Sequence, residues 1–228
     1  MRRFPVVTID GPAGAGKSTV ARRLAARLGY AYVNSGAIYR AVAWETMRGR
    51  SLAEVLREAR VEFHGDDRGQ QVFVDGVDVT RGLHAPETST RAAALSQRPE
   101  VRAFADRLQR AQAERGPVVV EGRDAGSVVF PDADCKFYLD ASLEARARRR
   151  LTELNAPGRA EPAGARDLET IRSAIHARDL ADQTRAVAPL ARGAETTYVD
   201  SSELTVDQVV DHMAEEVERA CSTRAAER

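Results

Sequence analysis

Lysine is almost missing from this chain: of its 34 basic residues only Lys17 and Lys136 are lysines, and the other 32 are arginines. Net charge is missing too, because 34 acidic residues offset the 34 basic ones. Such a chain has no broad positive field of the kind that supplies most sequence-independent affinity for duplex nucleic acid or anionic lipid. No nucleic-acid or membrane partner is therefore expected, and any contact with phosphate has to be local. Cysteine is scarce. Cys135 and Cys221 stand in no C-x-x-C pair or Cys/His cluster, which excludes a disulfide framework and a structural zinc site and makes a reducing, cytoplasmic setting the expectation. Long apolar runs are absent as well: the stretch from Phe4 to Ile9 is interrupted by Pro5 and ended by Asp10, so it reads neither as a signal sequence nor as a membrane span. No internal repeat is visible. The length of 228 residues suits one domain with a small insert and rules out a peptide-sized scaffold.

What is present alternates between two periodicities. Pro5–Ile9 is a continuous apolar, β-branched run, suited to a strand buried on both faces of a parallel sheet. After a glycine-rich stretch, Val20, Leu24 and Leu28 fall on one helical face, stopped by Gly29. A short strand at 31–33 follows, then helices over 37–47 and 52–60. Between Val61 and Val79 the texture changes to short alternating strands, with Asp75-Gly76 as a two-residue hairpin turn, which predicts a small antiparallel insert. Helices are predicted over 86–95, 99–114, 143–154, 168–182 and 206–220, with a frayed tail after the last. Further strands are predicted at 118–122, 135–140 and 197–199, and a Pro/Gly/Ala-rich loop at 155–166. Strands alternating with helices predict an α/β fold: a parallel five-stranded sheet flanked by helices, plus the antiparallel insert.

Gly11-Pro12-Ala13-Gly14-Ala15-Gly16-Lys17-Ser18 fits G-x-x-x-x-G-K-[ST] at every fixed position, between a predicted strand and a predicted helix. Backbone N–H groups freed by the glycines turn inward around phosphate, and the helix N-terminus adds its partial positive charge. Residues Gly11 to Thr19 are thus the candidate ATP site. Lys17 is expected to reach the β and γ phosphates, and the Ser18 hydroxyl to ligate Mg²⁺. The arginine skew points to the same residue. A chain that uses arginine at 32 positions but lysine here treats this as a place where the larger guanidinium does not fit. Lys136 has no partner motif and is expected to be structural or at the surface.

Several classes share this loop. A GTPase needs a guanine-reading N-K-x-D, which two lysines in GKST and CKFY cannot supply. A transporter-type ATPase needs a signature loop such as LSGGQ, also absent. A small kinase remains. The segments IDGPAGAGKST, SGAIYR, PEVR, GRDAGSVVFPDA, the Arg-rich segment after Leu143 and RAVAPL then occur in an order and spacing that resembles the bacterial cytidylate kinases, P-loop enzymes moving the γ-phosphate of ATP to CMP or dCMP.

Carried over by position, this resemblance implies that Arg40, Arg123 and Arg185 hold the CMP phosphate, with Lys17, Arg123 and Arg185 acting on the transferring group. It implies that Ser35, Arg102 and Asp124 read cytosine and that Ser96, Arg178 and Asp182 meet the sugar. A fork-shaped guanidinium suits phosphate oxygens, and a carboxylate suits the cytosine N4 donor, where uracil presents an acceptor. The implied layout is one P-loop kinase domain, with a core at about 1–34, 116–154 and 167–228, a monophosphate-binding region at about 35–115, and a lid at about 155–166. The helix from Leu143, with Arg146, Arg148, Arg149 and Arg150, leads into that lid with its Arg159, and one of these arginines is expected at the transferring phosphoryl. Asn34 and Glu121 stand where the family usually has Asp. Because the acceptor is an already ionised phosphate, no general base is needed, and His64, His84, His176 and His212 are expected at the surface or in packing. A monomer is the family expectation. Two other readings compete: a kinase for UMP or for a hydroxylated metabolite, the latter needing a base such as Asp10, and a module that binds ATP without transferring phosphate.

Overall fold

A computed structural model describes residues 4–66, 69–155, 167–185 and 187–226. Its centre is β1 (Val6–Asp10), whose five residues are all buried. An apolar, β-branched strand covered on both faces has no polar edge to solvate, and burying each Val or Ile contributes about 1.5–3 kcal/mol. Around it lie β2 (Ala31–Asn34), β6 (Val118–Glu121), β7 (Cys135–Asp140) and β8 (Thr197–Asp200) in the order β2-β6-β1-β7-β8, every pairing parallel. Register sets Ile9 opposite both Glu121 and Phe137, so β1 and β6 end within one residue of each other while β7 runs on to Asp140.

From β1 the chain passes through α1 (Lys17–Leu28) to β2, on one side; from β6 it crosses to β7, on the other. Neighbouring strands whose connections diverge leave a crevice at their carboxyl ends, where open α/β sheets bind ligands. One face of the sheet is covered by α1 and α8 (Val206–Ala226) around Leu24, Phe137 and Met213; the other carries Val33, Val118, Val120, Val129 and Phe130.

Between β2 and β6 the chain forms a separate apolar cluster. It comprises α2 (Ser35–Met47), α3 (Leu52–Glu58), the antiparallel sheet β3 (Val61–Asp66), β4 (Gly69–Val74) and β5 (Val77–Asp78), α4 (Pro86–Leu95) and α5 (Pro99–Arg115). Asp75 and Gly76, at φ 50° and 81°, make the expected hairpin turn. A fourth small cluster, including Ala147, Leu154, Ile171 and Ile175, joins α6 (Leu143–Leu154) to α7 (Leu168–Thr184). No helix among the described residues is long and apolar enough to cross a membrane.

Boundaries depart from expectation in three places. The second helix begins at Ser35 rather than 37, because the Asn34 side chain accepts the Ala37 N–H at 3.1 Å and caps it. The last helix runs to Ala226 rather than fraying at 220, since Val217, Ala220 and Cys221 still pack against the main core. Ala125–Val129, read as plain loop, is a single π-helical turn.

Candidate active site

The phosphate loop leaves the sheet where β1 ends. Gly11 has φ 150°, and a Cβ there would lie 2.0 Å from the Leu139 carbonyl oxygen of β7, so any side chain would force the strands apart. Gly14 and Gly16 also have positive φ, and Gly16 caps α1 without a side chain, leaving the first N–H groups of the helix open to an anion. Lys17 is buried, with Nζ donating to the Pro12 carbonyl at 2.6 Å. Burial holds its pKa well below the usual lysine range; Arg123 and Arg178 push the same way, against Glu121 and Asp10. Ser18 and Thr19 stand exposed on the first turn of α1.

Three side chains from α6 and α7 close on this loop from behind. Arg146 donates Nη1 to the Ala13 carbonyl at 3.0 Å and Nε to the Ala141 carbonyl at 2.9 Å, and it pairs with Asp179. Asp179 in turn accepts the Ala13 N–H at 3.0 Å. Arg149 reaches the Ala15 carbonyl at 3.4 Å and is anchored on Ser201. Of the arginines on this helix among which one was expected at the transferring phosphoryl, Arg146 and Arg149 hold loop carbonyls, and Arg148 pairs with Glu144 one turn earlier. Residues 156–166, including Arg159 and nearly all of the expected lid, lie outside the described residues.

Across the crevice, Gly122 follows β6 so closely that a Cβ there would lie 2.9 Å from Ser35 Oγ and 3.3 Å from Asp10 Oδ1. Asp10 accepts the N–H groups of Ala125 and Gly126 at 2.9 and 2.8 Å, fixing the π-helical turn and with it Asp124 at its entrance. Burial raises the Asp10 pKa to about 6, although those two N–H groups and Lys17 oppose the shift. Asp124 meets two guanidiniums, Arg102 from α5 and Arg185 beyond α7, the latter at 3.1 Å. Both arginine side chains are only 5% exposed. Arg185 also donates Nε to the carbonyl of Ala188, a residue held at φ 48°; such a left-handed alanine costs about 1–2 kcal/mol and wraps the chain around the guanidinium. Arg123 pairs with Asp182 at 2.7 Å and bonds the Gly122 carbonyl at 3.2 Å. Arg40 has its Nε buried without a hydrogen-bond partner, and burial lowers its pKa despite the pull of Glu121, with Arg178 and Arg123 adding repulsion.

Of the residues expected in the site, Lys17, Ser35, Arg40, Arg102, Arg123, Asp124, Arg178, Asp182 and Arg185 thus form one network of contacts and mutual fields around the crevice. Ser96 joins it only through its backbone. Its hydroxyl donates to the Ala93 carbonyl at 2.8 Å while its own carbonyl lies 3.5 Å from Arg102 Nη1. Lys136 has its expected structural place, donating to Glu195 at 3.2 Å.

Tyr32 and Asp179, not singled out in the sequence, complete the site beside Glu121 and Asp10. Tyr32 donates its hydroxyl to buried Glu121 and also contacts the Ser18 and Asn34 side chains; burial, with Glu121 beside it, raises its pKa. A carboxylate closing the apolar run VVVE was the signal for Glu121, as Asp10 was after β1; nothing local marks Asp179. Among the described residues no three His, Cys, Asp or Glu side chains gather into a metal cage. Mg²⁺, however, keeps several waters and takes one or two protein oxygens with the substrate phosphates. The Ser18 hydroxyl and the Glu121 carboxylate, both on the Tyr32 phenol, make an oxygen set of that kind.

Comparison with known proteins agrees with this geometry. The family pattern described as cytidylate kinase matches residues 7–219. The cytidylate kinase of Pelotomaculum thermopropionicum is 44% identical over 218 residues, covering 92% of this chain and 94% of that one. The cytidylate kinase of Desulfitobacterium hafniense is 39% identical over 220 residues, covering 93% and 92%. Among solved structures, an uncharacterized protein from Eubacterium ventriosum shares the fold with a TM-score of 0.53 at 12% identity, covering 94% of this chain and 98% of its own. With its phosphate loop and parallel sheet in place, the chain belongs to the cytidylate kinase family, nucleoside monophosphate kinases consistent with phosphorylation of CMP and dCMP from ATP.

Proposed function

We propose that ATP lies on the Gly11–Thr19 loop with Mg²⁺ at Ser18 and Glu121, and that CMP or dCMP lies across the crevice, its phosphate on Arg40, Arg123 and Arg185. The observation carrying this reading is electrostatic. Lys17, Arg40, Arg123 and Arg178 repel one another across the crevice, and burial lowers the pKa of three of them, Lys17, Arg40 and Arg178. The ATP triphosphate and the facing monophosphate supply the negative charge that relieves this crowding. Arg178, which the resemblance gives to the sugar, lies within the fields of Lys17 and Arg40, and we assign it to the phosphates as well. Beside the cluster, Arg102 and Asp124 form a donor–acceptor pair able to read the cytosine edge, with Ser35 near by and Ser96 and Asp182 left to the sugar.

In the transfer, Lys17 follows charge from the β,γ bridge onto the leaving diphosphate, while Arg123 and Arg185 hold the acceptor in line and neutralise the equatorial oxygens. Ser18 and Glu121 would hold Mg²⁺ beside the loop, where the ion would supply positive charge to offset that of the phosphates. No base is required. Asp10, the candidate for a hydroxyl-bearing acceptor, has both oxygens engaged by backbone N–H groups, which disfavours that reading. We place the protein in the cytoplasm as a monomer acting in pyrimidine nucleotide metabolism. A coupled ADP-release assay with CMP, dCMP, UMP and AMP tests the assignment: turnover with CMP and dCMP well above UMP and AMP is expected, and no turnover with any would overturn it.

A further inference from the structure

The contacts from α6 and α7 to the phosphate loop fall on three of its peptide units between Pro12 and Gly16, and a planar trans peptide turns each into a directional constraint. Within one peptide unit the carbonyl oxygen and the N–H point in opposite directions. The Ala13 N–H, accepted by Asp179 at 3.0 Å, belongs to the same unit as the Pro12 carbonyl, which accepts Lys17 Nζ at 2.6 Å. The Ala13 carbonyl, held by Arg146 at 3.0 Å, belongs to the unit whose other end is the Gly14 N–H. The Ala15 carbonyl, 3.4 Å from Arg149, belongs to the unit carrying the Gly16 N–H. Gly14 and Gly16 have φ of 76° and 90°, so their backbone has no intrinsic preference strong enough to hold these orientations alone.

We infer that Arg146, Arg149 and Asp179 are positioning residues that set three peptide planes of the phosphate loop. Asp179 turns the Pro12 carbonyl onto Lys17, and the two arginines turn the Gly14 and Gly16 N–H groups away from the helices and into the loop. The Arg146–Asp179 pair is well covered, its side chains 9% and 10% exposed, so water does not compete for the Ala13 peptide. Arg146 and Arg149 lie three residues apart on one face of α6, which lets them grip alternate carbonyls of the loop. The inference rests on the reading of the loop as the ATP site and does not depend on which monophosphate is the acceptor.

Titration of the full chain with Mg·ATP alone, and separately with CMP alone, tests it in Asp179→Ala, Asp179→Asn and Arg149→Ala. Misaimed donors at a phosphate cost up to about 10²-fold. Asp179→Ala is expected to weaken ATP by about 10- to 100-fold with CMP binding within about twofold. Asp179→Asn, which keeps an oxygen for the Ala13 N–H, is expected to recover most of the ATP affinity. Should Asp179→Ala fail to fold, Arg149→Ala, on a half-buried side chain, is expected to show the same ATP-selective loss in smaller measure. Unchanged ATP binding in the folded variants, or ATP and CMP affinities falling in parallel, would overturn the inference. If wild type binds ATP but phosphorylates no monophosphate, the acceptor assignment fails while this test still reads out.

Discussion

On the loop side of the crevice, charged side chains are tied to backbone: Lys17 to the Pro12 carbonyl, Arg146 to that of Ala13, Asp179 to the Ala13 N–H. On the acceptor side, guanidiniums meet carboxylates side chain to side chain, Arg102 and Arg185 on Asp124 and Arg123 on Asp182, while Arg40 has a buried nitrogen with no partner. Backbone ties hold one geometry, as a loop gripping the same triphosphate requires. Side-chain pairs can exchange partners, as a site that must tell one base from another requires. The contrast also separates their energetics. Loop contacts are expected to add to stability, whereas the crowded cations are expected to subtract from it until, on the proposed reading, substrate phosphates compensate them.

The loop side is broken most severely by Lys17→Arg. This buried slot, with a carbonyl 2.6 Å from the ammonium, leaves no room for a guanidinium, and kcat in the ADP-release assay is expected to fall by about 10³-fold with charge conserved. Activity near wild type would undo the reading of the arginine skew. On the acceptor side, Arg40→Met removes a cation whose Nε has no partner. We expect kcat/KM for CMP to fall by about 10²-fold while urea unfolding shows stability rising by about 0.5–1 kcal/mol. A fall in both would mean Arg40 is structural, and the contrast between the two sides would lose its basis.

A smaller effect sharpens the base-reading half. Asp124→Asn exchanges an acceptor-only group for an amide that also donates, so the CMP:UMP preference, measured as a ratio of kcat/KM values, is expected to drop by about tenfold. An unchanged ratio would place cytosine reading elsewhere. The smallest effect on turnover concerns Asp10, which stands between the two sides. Its folded pKa of about 6 exceeds the ordinary 3.8, so the folded protein binds more protons between those values and its stability falls as pH rises from about 4 to about 6. Unfolding of wild type and Asp10→Asn at pH 4.5 and 7, without nucleotides, is expected to show wild type losing on the order of 2 kcal/mol relative to the variant. A pH-independent difference would show that Asp10 does not titrate there.

How much could be read in advance follows the same division. Residues 11–18 form one contiguous segment, so the loop and its strand–helix setting are visible as a pattern, as are the DG hairpin and the apolar strands. The acceptor side draws on α2, α5, the turn after β6 and the end of α7, and its residues became legible only through a family likeness spread over the chain. The arginines of α6 could not be told apart in the sequence, because an Arg-rich helix shows no preference among its faces until α7 packs on it and Asp179 takes one of them. The π-helical turn at 125–129 has no local signature either; it exists because Asp10, 115 residues earlier, accepts its N–H groups.

Sequence alone was enough for the α/β class, the strand–loop–helix unit and the singular identity of Lys17, because each is encoded in near neighbours through side-chain periodicity, glycine freedom and the size of one cation. Tertiary structure decided which arginines face the crevice and which hold backbone, which carboxylates face them, and where cations are left crowded. Those outcomes depend on distances between segments far apart in the chain and on how much water packing removes around each charge, and neither quantity is written in the order of residues.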